Sequence, residues 1–240
     1  MTEELVLIQR LLAAIVVGYL FGSIPLAHLV ARRHGIDIFA TGSTRAGTAN
    51  VFWNISRWKG ILVFAGDAAK GYLAIEFARL LGVPDSALIL AGGAAVAGHW
   101  KSIFTRFKGG DGMVTLLGVT VALTPMLSPI GIAIGIGAVL LTRRSPFRSS
   151  LGIIACYSVL LVLSQSLGYF SSERILVMEL SVLALLVIFH NVLIHRRHAP
   201  ILASRKQNAR MGDEIDEFID LELDDDLPDL ETDITEEGRA

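Results

Sequence analysis

The sequence predicts an all-α integral membrane protein with about seven transmembrane helices, an outside N-terminus and a cytoplasmic C-terminus. Two observations support this class. Of the 240 residues 52% are apolar and only 18% charged, with a mean hydropathy of +0.57, whereas soluble domains carry about 25% charged residues. The basic residues also fall in alternate connections between the apolar stretches, which is typical of chains that cross a membrane repeatedly.

Four apolar stretches are long enough to cross a hydrocarbon core about 30 Å thick, which takes roughly 20 helical residues. They span residues 5–31, 60–82, 150–168 and 174–195. The three shorter apolar runs are 87–99, 113–124 and 128–142. Since ~13 helical residues rise only about 20 Å, we expect these runs to continue into neighbouring loops or to be partly re-entrant. Re-entrant backbone must be buried or must line a cavity.

The basic residues sort to one side when these stretches alternate across the membrane. Lys and Arg occur in loops 32–59, 100–112 and 143–149 and after the last stretch. The opposite connections, near Pro84 and at 125–129 and 168–173, contain neither. Because positive residues stay in the cytoplasm, the basic side is predicted to be the cytoplasmic face of the plasma or inner membrane.

The charge of the chain changes sharply near its C-terminus. Residues 1–210 contain 20 Lys and Arg against 9 Asp and Glu, whereas 211–240 contain 1 against 14. We expect a membrane domain over 1–203 and an acidic, disordered cytoplasmic tail over 204–240, because the tail cannot bury enough apolar surface to order itself. The tail's composition identifies no partner, and no feature indicates nucleic-acid binding. Cys156, the only cysteine, excludes an internal disulfide and a Cys-based metal cluster.

The first group of polar residues with chemical potential lies in 41–50 of a predicted cytoplasmic loop. It combines Ser43, Arg45, Gly47 and Asn50 with further hydroxyls. Glycine permits backbone shapes that aim N–H groups at an anion, and hydroxyls and Arg add donors. The same composition would also suit a flexible polar loop.

A second group precedes the apolar run that begins near residue 113. Lys108 leads into Gly109, Gly110 and Gly112, a pattern that favours a phosphate site at a helix N-terminus. Asp111 interrupts it with a negative charge. This carboxylate could cap the helix, bind a metal, or mark an altered function.

Three further features contain titratable residues. His99 ends an apolar run and could act as a base or hydrogen-bond donor, or simply cap a helix. Asp67 and Lys70, three residues apart, share a helix face and could form either a structural ion pair or a functional one. The basic end of the last stretch, around His198, suits lipid headgroups better than a metal.

These motifs occur in a specific order along residues 18 to about 202. They are Gly22-Ser23-Ile24-Pro25, Gly42-Ser43, Gly47, Asn50-Val51, Gly66-Asp67, Lys70-Gly71, Gly98-His99 and Phe107-Lys108-Gly109-Gly110-Asp111-Gly112. The order and spacing resemble the bacterial acyl-phosphate-dependent glycerol-3-phosphate acyltransferases. Several positions depart from the family pattern: Thr44 and Arg45 replace a Gly-Asn pair, Trp53 replaces Arg, Asp111 replaces Lys, and Pro200 replaces Asn.

The resemblance implies a seven-helix membrane enzyme that transfers an acyl chain from acyl phosphate to the 1-hydroxyl of glycerol 3-phosphate. The products would be lysophosphatidate, for phospholipid synthesis, and phosphate. It implies no cofactor and no bound metal, a surrounding of membrane lipids, and an acyl-phosphate-producing enzyme as a partner. The alternative is a repurposed, non-catalytic relative that binds lipid or phosphate. A small transporter would need polar residues along a path across the membrane, whereas these cluster on one face.

The resemblance also assigns residues to roles. The catalytic residues are expected to be Ser43, Asn50 and His99. Phosphate is expected to contact Arg45, Lys108 and the amides of Gly109, Gly110 and Gly112. Supporting roles fall to Gly47, Asp67 and Lys70, while the roles of Asp111 and His198 stay open.

Overall fold

The helices of the computed structural model follow the predicted apolar stretches, with one break and one addition. The structure describes residues 3–145, 147–166 and 173–195. Its helices are α1 (Glu3–Ser23), α2 (Leu26–Arg32), α3 (Thr48–Asn54), α4 (Arg57–Leu80), α5 (Leu88–Trp100), α6 (Met113–Leu123), α7 (Ser128–Leu141), α8 (Arg148–Ser166) and α9 (Arg174–His195). No strand occurs within these ranges. The described residues up to Ile194 form one unit, and the predicted tail over 204–240 lies outside the described residues.

The break divides the predicted span 5–31 into α1 and α2. Pro25 has no N–H to donate and therefore interrupts the helical hydrogen bonds, so a helix resumes only at Leu26. The prediction of one continuous helix was wrong at this point. The break leaves the carbonyl groups at the end of α1 without helical hydrogen-bond partners.

The addition is α3, which lies in a segment that was expected to be a polar loop. It begins after the extended residue Gly47, at φ −131°, and it buries Asn50 and Val51. Val51 joins a small core with Ile38 and Val63. Seven residues are too few to display a helical hydrophobic period, which is why the sequence pattern missed this helix.

Four helical segments of the described residues are long and apolar enough to cross a bilayer. They are Glu3–Arg32, Asp85–Thr105, Arg148–Ser166 and Arg174–His195. The second reaches 21 residues because 3₁₀ turns extend α5 at both ends, so this short run does continue into its loops as expected. Helices α6 and α7 remain shorter, at 11 and 14 residues.

Glycines bring the helices that carry the polar residues into close contact. A Cβ added at Gly22 of α1 would clash with the carbonyl oxygen of Ala95 on α5. One added at Gly71 of α4 would clash with the carbonyl oxygen of Thr115 on α6. Small residues allow such close approach between membrane helices.

We expect Gly71→Val to lower the melting temperature of the purified protein by several degrees, because overpacking a helix crossing costs about 1–3 kcal/mol. Gly137→Val is the matched control, since a Cβ at Gly137 meets nothing within 4 Å. Thermal unfolding in detergent measures both. Equal melting temperatures for the two variants would contradict the α4–α6 packing.

Candidate active site

A cluster of three buried polar side chains lies where α1, α4 and α5 meet, and we call it the buried triad (Asp67, Lys70 and His99). The Lys70 Nζ atom is 2.8 Å from Asp67 Oδ1 and 3.2 Å from His99 Nδ1. The three side chains are only 2%, 5% and 6% exposed, in the order Asp67, Lys70, His99. The helical spacing of Asp67 and Lys70 was predicted from the sequence, whereas the contact with His99 was not.

The break between α1 and α2 supplies two further partners for Lys70. Its Nζ donates to the carbonyl oxygens of Gly22, at 3.2 Å, and Ile24, at 2.9 Å. Burying an ammonium is costly unless it is paired and hydrogen-bonded. The two carbonyls and the Asp67 carboxylate together meet that requirement, so the break at Pro25 is part of the site.

The hydrogen-bond network assigns the proton of the neutral His99 ring. An ammonium can only donate, so Nδ1, which faces Lys70, accepts and the proton lies on Nε2. The Nε2 atom lies against Gly110, because a Cβ added there would clash with it. The N–H of Gly110 in turn donates to the His99 carbonyl oxygen at 3.1 Å. His99 therefore presents a donor, rather than a base, beside the glycine loop.

Two cavities meet at the buried triad. The first, which we call the polar cleft, is lined by Ser23, Pro25, Ser102, Lys108, Gly109 and Gly110 in addition to triad residues. The second, the apolar cavity, has a volume of about 390 Å³ and extends among α4, α6, α7 and α8. Asp67 and His99 line both. A polar molecule in one cavity could therefore react with an apolar molecule in the other.

Asn50, expected to be a catalytic residue, instead forms hydrogen bonds within the loop that contains it. Its Nδ2 donates to the carbonyl oxygens of Ile38 at 3.1 Å, Thr41 at 2.9 Å and Arg45 at 2.9 Å. Its side chain is buried. Asn50 therefore fixes the shape of the 38–50 loop.

Ser43 and Gly47 occupy different positions in the same loop. Ser43 is exposed and is not among the described residues that line either cavity. Gly47 lines the apolar cavity close to its polar end, together with Thr48. The structure thus brings Gly47, but not Ser43, to the wall of the apolar cavity.

Arg45 binds the last helix instead of lining the polar cleft. Its guanidinium donates from one terminal nitrogen to Asn191 Oδ1 at 2.6 Å. Asn191 in turn contacts Met113 Sδ through its Nδ2, at 3.2 Å. Arg45 therefore joins the 38–50 loop to α9 and the start of α6.

Lys108 lines the polar cleft, as does Lys70 of the buried triad. The Lys108 Nζ lies 5.7 Å from the centre of the Phe39 ring, a cation–π distance. The next residue, Gly109, accepts a hydrogen bond at 3.2 Å from the Ala46 N–H. Two of the loops predicted to be cytoplasmic, 32–59 and 100–112, are thus hydrogen-bonded to each other beside Lys108.

Asp111 caps α6. Its Oδ1 accepts from the Met113 N–H at 3.3 Å, and its carbonyl oxygen accepts from Trp100 Nε1 at 2.9 Å. A carboxylate is favourable at a helix N-terminus, so the capping alternative is the one the geometry supports. The expectation that the amides of Gly109, Gly110 and Gly112 all contact phosphate is wrong for Gly110, because its N–H donates to the His99 carbonyl oxygen. Among the described residues no group of His, Cys, Asp and Glu could hold a metal ion.

Sequence reasoning missed two buried hydroxyls that border the cavities. Ser23 Oγ lines the polar cleft and Thr48 Oγ1 lines the apolar cavity, and neither has a hydrogen-bond partner among the described residues. The signal for Ser23 was present, since it is a hydroxyl inside an apolar helix beside Gly22. His198 and Pro200 lie outside the described residues.

The chain is similar to proteins of known class. Residues 12–200 match the family model described as glycerol-3-phosphate acyltransferase. A glycerol-3-phosphate acyltransferase of Geotalea daltonii is 34% identical over 208 residues, which cover 87% of this chain and 98% of that relative. Two crystal structures of PlsY, described as an integral membrane glycerol 3-phosphate acyltransferase, cover 81% of this chain and 92% of their own. The glycerol 3-phosphate form has 28% identity and a TM-score of 0.66, and the lysophosphatidic acid form 29% and 0.63.

Proposed function

Because this chain belongs to the glycerol-3-phosphate acyltransferase family, we propose that it transfers an acyl group from acyl phosphate to the 1-hydroxyl of glycerol 3-phosphate. The products are lysophosphatidate and inorganic phosphate. One observation carries the proposal: a polar cleft and an apolar cavity share His99 and Asp67. The ammonium and hydroxyl groups of the cleft suit the small, charged acceptor, which must widen the cleft beyond its volume of about 10 Å³ in order to enter it. The cavity, at about 390 Å³, suits the acyl chain of the donor.

The reaction needs positioning and charge stabilisation more than a protein nucleophile. Acyl phosphate is an activated mixed anhydride. The 1-hydroxyl oxygen attacks the carbonyl carbon and forms the ester bond, while the bond from that carbon to the phosphate oxygen breaks. The phosphate leaves with the hydroxyl proton. Holding both reactants at the shared wall of the two cavities makes this attack effectively intramolecular.

His99 is the residue best placed to stabilise the negative charge that develops on the oxygens. Its Nε2–H is the free donor of the ring, and preorganised donors in a water-poor site are among the strongest sources of rate enhancement. Lys70 holds the ring through Nδ1 at 3.2 Å. Asp67 balances the charge of Lys70 at 2.8 Å. His99 is therefore assigned as the catalytic donor and the other two as positioning residues.

Lys108 and Ser23 are assigned to the phosphate of glycerol 3-phosphate. Both line the polar cleft, and an ammonium with a neighbouring hydroxyl supplies charge-assisted hydrogen bonds to phosphate. Arg45 and Asn50 are assigned to holding the 38–50 loop, which the Ala46–Gly109 hydrogen bond joins to the segment that carries Lys108. Gly47 and Thr48 lie at the polar end of the apolar cavity, where the donor's head group would sit.

The affinity for the acceptor tests this assignment. Isothermal titration of the purified protein is expected to detect glycerol 3-phosphate but not glycerol. Lys108→Ala should weaken glycerol 3-phosphate binding about tenfold or more, since a hydrogen bond to a charged group contributes about 1.5–3 kcal/mol. Arg33→Ala removes an exposed cation from α2's end and should leave the affinity unchanged.

Two results would overturn the assignment of the polar cleft and Lys108 to glycerol 3-phosphate. Absence of glycerol 3-phosphate binding to the folded wild-type protein would remove the acceptor site. Equal affinities for Lys108→Ala and the wild type would remove Lys108 from it.

We also propose that the polar cleft faces the cytoplasm and that the chain crosses the plasma or inner membrane seven times. The basic loops support this orientation, since the Ala46–Gly109 hydrogen bond joins two of them beside the cleft. An enzyme that forms acyl phosphates must supply the donor on the same face or within the membrane.

Reporter fusions test the orientation. A reporter fused after Pro84 is expected outside, and one fused after Arg148 or at Ala240 is expected inside, because the connection near Pro84 lacks the positive residues that stay in the cytoplasm. Reporter activity in the same compartment for Pro84 and Arg148 would contradict the predicted crossings between them.

A further inference from the structure

The apolar cavity ends at the same depth on α6, α7 and α8, the helices that form its deep part. Its lining covers residues 113–120 on α6, 132–140 on α7 and 149–157 on α8. From its polar end to Thr120 the cavity thus follows α6 for seven residues, or about 10 Å. The deepest lining residues are Thr120, Ile132 and Tyr157.

Packed core lies beyond this depth. Leu123, Leu127 and Leu160 are 2%, 0% and 0% exposed and belong to the main hydrophobic core. A Cβ added at Gly131 would come within 2.7 Å of Leu160, so even a methyl group has no room there. The cavity is therefore closed at its deep end, while Ile136 and Leu140 near its polar end are 55% and 66% exposed.

A hydrogen bond between the Thr120 and Tyr157 hydroxyls ties α6 to α8 at this closed end. Thr120 Oγ1 donates its hydrogen to the Leu116 carbonyl oxygen at 2.8 Å, so Tyr157 is the donor in the pair. Both side chains are almost fully buried, at 1% and 7% exposed. Separating them would leave two unpaired polar groups in an apolar environment, which costs free energy.

We propose that Tyr157, held by Thr120, is the stop that limits the length of acyl chain this enzyme accepts. The inference rests on the proposed function and adds the specificity of the donor site. A chain short enough to end at the Tyr157 ring fits within the cavity. A longer chain must displace the ring and break its hydrogen bond, or leave its excess methylenes outside the cavity.

The test compares acyl phosphates of increasing chain length at saturating glycerol 3-phosphate, scored as kcat/KM for each donor. Tyr157→Ala removes the stop and should move the optimum to longer donors, since burial of each added methylene changes kcat/KM by about fourfold. Tyr157→Phe keeps the ring but loses the hydrogen bond to Thr120, so it should move the optimum less than Tyr157→Ala does. Ile154→Ala on the same helix, at a position 48% exposed and outside the cavity lining, should retain the wild-type length profile.

Ile132→Phe gives an independent test with the opposite sign. It adds bulk at the depth of Tyr157 and should move the optimum to shorter donors, even if Tyr157→Ala proves too unstable to assay. A folded, active Tyr157→Ala or Ile132→Phe with the wild-type length profile would overturn the proposal, as would a Tyr157→Phe profile that matches Tyr157→Ala. Complete absence of acyl transfer by the wild type would instead refute the proposed function.

Discussion

His99→Ala is expected to lower kcat for acyl transfer by about 10²–10³, the loss seen when one preorganised donor to a developing oxyanion is removed. The expectation follows from the position of His99 on the wall shared by the two cavities. Because Lys70 keeps Asp67 and two carbonyls as partners, the variant should remain folded. Initial rates at saturating donor and acceptor measure the effect.

His34→Ala is the matched control for this experiment. His34 is an exposed histidine after α2 whose ring contacts the Val30 carbonyl oxygen, so its loss should leave kcat unchanged. A His99→Ala protein with a normal melting temperature and an unaltered kcat would remove His99 from the reaction. A raised KM for glycerol 3-phosphate with unchanged kcat would reassign it to substrate binding.

Lys70→Met is expected to lower the free energy of unfolding by about 3–5 kcal/mol, because it leaves the Asp67 carboxylate buried without its charge partner. The double variant Asp67→Asn/Lys70→Met should recover much of this stability, since no unpaired charge remains, but it should not recover acyl transfer. Equilibrium unfolding in detergent measures the stabilities, and the product assay measures the activity.

Glu76→Gln provides the comparison on the same helix. Glu76 and Arg79 form an ion pair with the same i,i+3 spacing, but their side chains are 34% and 36% exposed. An exposed pair of this kind contributes about 0–1 kcal/mol. If Lys70→Met and Glu76→Gln destabilised the protein equally, burial would not distinguish the two pairs and the structural role of the buried triad would be wrong.

Sequence patterns were sufficient for the class of this protein. Apolar length and the alternation of basic loops predicted an all-helical membrane protein, and the motif order resembled the family that the comparisons then showed. The pattern failed at Pro25, where the long apolar run concealed a break, and at α3, which is too short to show a period. Hydropathy averages over a window longer than either feature.

The site was predictable residue by residue but not as an arrangement. Asp67, Lys70 and His99 each stood out, yet the 29-residue separation between Lys70 and His99 hid the contact, which depends on the packing of α4 and α5 against α1. Roles that depend on competition for hydrogen bonds were less predictable. The amide of Asn50 could have bound a substrate, and the backbone geometry of the loop directs it to three carbonyls instead.

The most direct measurement of the proposed activity uses the full purified chain in lipid vesicles with acyl phosphate and isotopically labelled glycerol 3-phosphate. We predict labelled lysophosphatidate and inorganic phosphate in equal amounts, with the acyl group on the 1-hydroxyl, and a rate that falls sharply in His99→Ala. Folded wild-type protein that forms no labelled lysophosphatidate, or that releases phosphate without forming the ester, would contradict acyl transfer at the junction of the two cavities.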